Sequence, residues 1–169
     1  MHIKTQLTIM STKEEALSSV QSVFEHGRAS YIDANLLHRL VLAKDLSTIL
    51  RRKDELKADT VNKDCKRVWN EFTWQINPFY IACYTNQEEL ALLLLEYGGA
   101  DPNHLCVRQD PGGDSVHCAP LWWASSHGMI RLCKALLARG AQTDIGEDPI
   151  KEARDEETLI LLCDHAKVG

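Results

Sequence analysis

The sequence predicts an all-α fold: a solenoid of stacked helix-turn-helix units with extended finger loops between them. Three observations carry that prediction. Residues 77–103 and 119–144 read as copies of one another. Each copy spaces apolar residues at i, i+3 and i+4 in its second half, the stripe of a packed helix. Each also opens on a proline and closes on glycine, so the copies are punctuated as well as patterned.

Every element of the copied unit has a physical reason. Pro78 and Pro120 suit the first turn of a short helix, where a missing N–H costs nothing and φ is already set. Ala82 and Ala124 keep that helix thin enough for a neighbour to approach closely. Asn86 and Gly128 suit a left-handed turn, from which a second helix starts near Glu88 or Met129. That helix presents Leu90, Leu93, Leu94 and Tyr97 in one copy, and Leu132, Ala135, Leu136 and Arg139 in the other. Gly98 and Gly140 are read as its terminating glycines, which makes Gly99 an inserted residue.

The two segments resemble ankyrin repeats, whose pattern runs Thr-Pro-Leu-His-x-Ala and closes on Leu-Leu-x-x-Gly-Ala-Asp. The usual Thr and His are replaced by Asn77 and Tyr80 in one unit, and by Ala119 and Trp122 in the other. In the family those positions hydrogen-bond repeat to repeat, so aromatic packing is expected to stand in for them here. On this reading residues 1–169 form a single domain. An N-terminal capping helix covers 13–33, a degenerate repeat 35–62, and a truncated C-terminal capping repeat 148–166. The spacing from Pro78 to Pro120 is 42 and from Pro120 to Pro149 is 29, against a usual period of about 33. The fingers around Asp59 to Ile76 and His104 to His117 are therefore enlarged, and the last is trimmed.

Composition bounds the function. With 44% hydrophobic and 25% charged residues the chain has a globular balance. Its net charge of −5, divided as +2 up to residue 85 and −7 after it, offers no general footprint for nucleic acid. The apolar run Leu90–Leu95 is far short of the ~20 residues that cross a bilayer, and the N-terminus lacks the pattern of a secretory signal. Six cysteines without CxxC spacing read as reduced thiols. The expectation is a cytoplasmic or nuclear protein, monomeric when free, without nucleic-acid or membrane partners.

The resemblance implies binding of a partner protein through finger tips and the exposed ends of the first helices. Carried over position by position, it nominates Trp74 and Ile76 before Pro78, and Val116 before Pro120. Tyr84, Thr85, Ser126 and His127 are the helix-end positions, and Arg108 completes the set from the second finger. Trp69, Phe72 and Trp74 crowd one finger, either bracing it or forming an anchor patch. Bracing is preferred for Trp69 and Phe72, and the anchor for Trp74. Trp122 and Trp123, inside a first helix, are assigned to packing. The mixed run Arg51, Arg52, Lys53, Lys57, Lys63, Lys66 and Arg67, interrupted by acidic residues, reads first as a solvated helix face and second as a surface for an acidic partner, with a nucleic-acid role a distant third.

His104, Cys106, His117 and Cys118 bracket the second finger, but their spacing matches no recognised zinc pattern, so no metal is expected. No nucleophile elbow, Walker loop, His-Glu-x-x-His or dinucleotide fingerprint occurs. Asp110 to Asp114 reads as a turn. No catalytic residue and no cofactor is expected. The predicted function is a non-catalytic interaction module, acting as a regulator, inhibitor or adaptor; the alternative is a structural subunit of a larger complex.

Overall fold

The computed structural model describes residues 23–26 and 29–167. In chain order the strands are β1 (Val23–His26), β2 (Ala29–Ile32), β3 (Cys65–Trp69), β4 (Phe72–Ile76), β5 (Cys106–Gln109) and β6 (Ser115–Cys118). The helices are α1 (Leu36–Leu42), α2 (Leu46–Arg51), α3 (Ala58–Val61), α4 (Pro78–Tyr84), α5 (Glu88–Tyr97), α6 (Pro120–His127), α7 (Ile130–Ala138) and α8 (Glu156–Ala166), with a short 3-10 turn at Lys53–Glu55.

The all-α expectation is corrected: the chain is a mixed α/β fold. The strands form one antiparallel sheet in the order β1-β2-β3-β4-β5-β6. Each segment expected to be a finger loop is instead a hairpin, and β2 pairs with β3, and β4 with β5, across unit boundaries. A lone two-stranded hairpin is marginal in water and leaves its outer N–H and C=O groups unpaired. Stacked fingers satisfy one another, so the sheet is a product of the stack. The helix expected over 13–33 gives way to β1 and β2 at 23–26 and 29–32; its remaining residues up to 22, with 27 and 28, lie outside the described residues.

Alternation explains which face of each finger turns inward. Cys65, Arg67 and Trp69 share a face with Phe72, Trp74 and Ile76 across β3–β4, while Lys66, Val68, Thr73 and Gln75 point the other way. The β3–β4 turn is Asn70–Glu71, both at positive φ (47° and 69°), the two-residue type that matches strand twist.

Below the sheet, α1, α4 and α6 stack side by side, with α5, α7 and α8 packed behind them. Phe79, Ile81, Leu90, Leu94, Leu121, Leu132, Leu136 and Leu162 fill the core, none more than 2% exposed. Asn77 caps α4 by accepting the Tyr80 N–H at 2.7 Å. Asn35 and His38 cap each other's backbone groups at the start of α1.

The glycine assignment in the first unit shifts by one. Gly99, at φ +63°, is the left-handed residue equivalent to Gly140 at φ +81°, whereas Gly98 has ordinary helical backbone. Gly98 is needed for space: a Cβ there would meet the Leu94 carbonyl oxygen and Val61 Cγ2 at 2.7 Å. A ladder of asparagines joins the units beside these turns. Asn62 donates to the Gly99 carbonyl and accepts from the Asp101 N–H (3.0 and 2.8 Å). One unit later Asn103 makes the same pair of bonds to Gly140 and Gln142 (3.0 and 2.9 Å).

Candidate functional site

Register builds the site. Ile76 and Cys65 are partners at the root of the sheet, where both are buried at 3% exposure, and Cys106 faces Cys118 beside them. One step further out, the pairings Tyr31–Arg67, Arg67–Trp74, Trp74–Arg108 and Arg108–Val116 run as a single row across five strands. This outer row overhangs the ends of α4 and α6, and the notch between sheet and helices is a groove.

Three depressions follow one another along the groove. The first, about 270 Å³, lies between Tyr31, Lys44, Arg67 and Tyr84. The second, about 160 Å³, lies between Arg67, Trp74, Tyr84, Arg108 and Trp123. The third, about 270 Å³, is bounded by Arg108, Val116, Trp122, Trp123 and Glu147. Arg67 belongs to the first two and Arg108 to the last two, so each arginine forms a partition.

The aromatic side chains hold one another in place. Trp123 makes edge contacts with Tyr80, Tyr84 and Trp122 at 6.3, 5.1 and 4.5 Å between centroids, and stacks on His127 at 5.6 Å. Its indole N–H donates to the Tyr80 hydroxyl. His127 Nε2 reaches back 3.1 Å to the Tyr84 carbonyl. Phe72 and Trp69 flank Trp74 at 5.9 and 6.5 Å. The Arg67 guanidinium lies 4.3 Å over the Trp74 ring and 5.6 Å from both Trp69 and Tyr84, the cation-over-face arrangement that ring quadrupoles favour.

The two arginines differ in their charge partners. Arg108 Nε and Nη2 donate to the Asp110 carboxylate at 2.9 and 3.3 Å. No carboxylate forms an ion pair with Arg67 among the described residues, and its Nε is covered without an acceptor. Burial raises the Tyr31 hydroxyl above its ordinary pKa, and Arg67 beside it pulls the other way.

Of the nominated residues, Trp74, Tyr84, Arg108 and Val116 are half-buried and line the groove, while His127, also half-buried, stacks behind Trp123 and lines none of the depressions. Thr85 lies at the groove's rim beside Lys44, with its hydroxyl donating to the Ile81 carbonyl. Ser126 donates to the Trp123 carbonyl at 3.2 Å and lines none of the depressions. Ile76 is covered at the root of the sheet and has almost no surface to offer a partner. Arg67 and Trp123 were missed. Arg67 is no part of a solvated helix face: it lies on β3, and the alternation of Cys65, Arg67 and Trp69 is the signal that places it. Trp123 packs, as expected, and lines the groove as well.

Burial raises the Cys65, Cys106 and Cys133 thiols to about 12, which suppresses the thiolate a nucleophile would need. The Tyr80 hydroxyl sits between Cys106 and Cys118. Cys118 faces the groove while its neighbour His117 turns to the opposite face, and His104 Nε2 is 2.8 Å from Asp64. Among the described residues no three His, Cys, Asp or Glu side chains gather as a cation site, and no helix is long and apolar enough to cross a membrane.

A family model for the ankyrin repeat matches residues 75–107, from the end of β4 through α4 and α5 into β5. Ankyrin repeats are generic protein–protein interaction modules and typically non-catalytic. No curated protein matches the chain.

Proposed function

We propose that this ankyrin-repeat protein acts without catalysis, as a regulator, inhibitor or adaptor that holds a partner protein in the groove between its sheet and the ends of α4 and α6. The observation that carries the reading is the cross-strand row Arg67, Trp74, Arg108 and Val116, with Tyr31 buried at its end, which lines one continuous face with aromatic and cationic side chains. Tyr, Trp and Arg are the residues that most often anchor interfaces, Tyr and Trp because they bring large contact area at little conformational cost and Arg because its planar fork makes several hydrogen bonds. The rings here are fixed by one another before any partner arrives, so little ordering remains to oppose binding.

The test is affinity capture with the wild-type chain beside a variant carrying Trp74→Ala, Tyr84→Ala, Arg108→Glu and His127→Ala, after circular dichroism has shown both to be folded. A partner retained by the first and lost by the second supports the groove. Identical captures would place the contact elsewhere. A second reading, an assembly subunit, is favoured by Leu159 and Ile160, which stand 40% and 52% exposed on α8. Sedimentation of wild type against Leu159→Ser, Ile160→Ser separates the two: only a subunit that associates through α8 would change its mass.

A further inference from the structure

The groove's charge and its ruler identify what it takes. Among the described residues Arg67 forms no ion pair with a carboxylate, and its guanidinium lies within 5.6 Å of three ring centroids. Its fork is suited to a carboxylate, which it can meet with two parallel hydrogen bonds. Arg108 stands two strands further along the same row and shares its charge with Asp110. Neighbouring strands are about 4.8 Å apart, so the backbone positions of the two arginines are separated by about 9.5 Å.

A polyproline II segment advances 3.1 Å per residue with three residues per turn, returning to the same face about every 9.3 Å. A β-strand returns to its face every ~6.7 Å and misses that spacing. Such segments also dock on aromatic-lined grooves, and Trp74, Tyr84 and Trp123 line the depressions around the arginines.

Building on the partner-binding reading above, we propose that the occupant is an acidic polyproline-type segment of the partner, with Glu or Asp at positions i and i+3. The first carboxylate pairs with Arg67 and the second with Arg108, while the intervening prolines lie over the Trp74 and Trp123 rings. A single-stranded nucleic acid would use the same rings and cations. It is disfavoured because it brings a phosphate at every nucleotide, whereas the groove offers isolated cations with Asp110 and Glu147 at its far end.

The experiment uses the full chain and a fluorescein-labelled peptide, Gly-Pro-Pro-Glu-Pro-Pro-Glu-Pro-Pro, read by anisotropy. Three controls replace it with the Gln-for-Glu peptide, a peptide of the same composition with the two Glu at i and i+2, and an eight-nucleotide oligothymidylate. The expected result is saturable binding at least about tenfold tighter than any control, weakening as salt rises. Arg67→Gln should reduce the preference for Glu over Gln, and Arg67→Gln combined with Arg108→Gln should erase it. If either variant fails to fold, the Glu and Gln peptides on wild-type protein decide alone. Equal binding of those two, no binding up to about 1 mM peptide, or tighter binding of the oligothymidylate overturns the proposal. A peptide that fails while the groove variant still loses its captured partner overturns the acidic segment alone; failure of both removes the groove as well.

Discussion

In the helical stack, Leu94, Leu121, Leu132 and Leu136 keep no exposed surface, whereas in the outer half of the sheet Trp69 keeps 38% and the Arg108 side chain 40%. The units are the same, yet one layer is held by close packing and the other by ring faces and cations that water still reaches. The difference separates what maintains the fold from what is left free to bind. It is broken most sharply by two substitutions. Leu94→Ala leaves a cavity in the stack and should cost about 2–5 kcal/mol. Trp74→Ala should cost clearly less and yet remove binding at the groove. Denaturant titration of both variants checks this, and equal losses would mean that the sheet supports the core.

A buried histidine gives the stack a pH dependence that the groove does not share. His38 has no exposed surface, and burial lowers its pKa to about 4, with the nearby backbone of Ile76 and Lys63 opposing. Its Nδ1 lies 3.2 Å from the Asn35 N–H, which it accepts only while neutral. Below the ordinary value of 6.5 the unfolded chain takes up a proton that the folded chain refuses until about pH 4. Stability therefore falls as pH drops through that window, by about 3 kcal/mol for this group alone. His104 works in the opposite direction. Asp64 raises its pKa, so its contribution is present below 6.5 and is lost as pH rises through the folded value. Urea midpoints at several pH values should show a slope that His38→Gln flattens.

Much of the stack was legible because helical spacing, proline and glycine report local geometry directly. The leucine runs Leu90–Leu95 and Leu132–Leu137 fell on α5 and α7, and Pro78 and Pro120 open α4 and α6. The sheet was not legible, since its strands are four or five residues long and gain their hydrogen bonds from neighbouring units distant in sequence. Arg67 was misplaced for the same reason: in a run of mixed charge only its strand partners Tyr31 and Trp74 distinguish it from Lys66. The Gly98–Gly99 pair was misread because sequence cannot tell a glycine kept for space from one kept for its φ. Gly140→Val isolates the second role, as no atom lies within 4 Å of the position; it should cost about 1–2 kcal/mol. Gly112→Ala, at ordinary φ and in open space, should cost nothing measurable by thermal melt. Gly98→Ala should destabilise despite its ordinary backbone.

A modest effect is expected where the two layers meet. Asn62 and Asn103 make matching bonds from the root of one finger to the turn at the end of the next unit's second helix. All four bonds are exposed to solvent, so each is worth no more than a typical net hydrogen bond, and Asn62→Ala or Asn103→Ala should cost about 1 kcal/mol. The informative quantity is how the loss is distributed. If the sheet and the stack unfold as one cooperative unit, each substitution lowers the midpoint reported by tryptophan fluorescence and by helical circular dichroism equally. Trp69 and Trp74 report from the sheet, and Trp122 and Trp123 from α6. If the fingers open separately, amide exchange should quicken in β3 to β6 after Asn103→Ala while α5 and α7 remain protected. In that case the groove is a layer that yields while the stack beneath it stays folded.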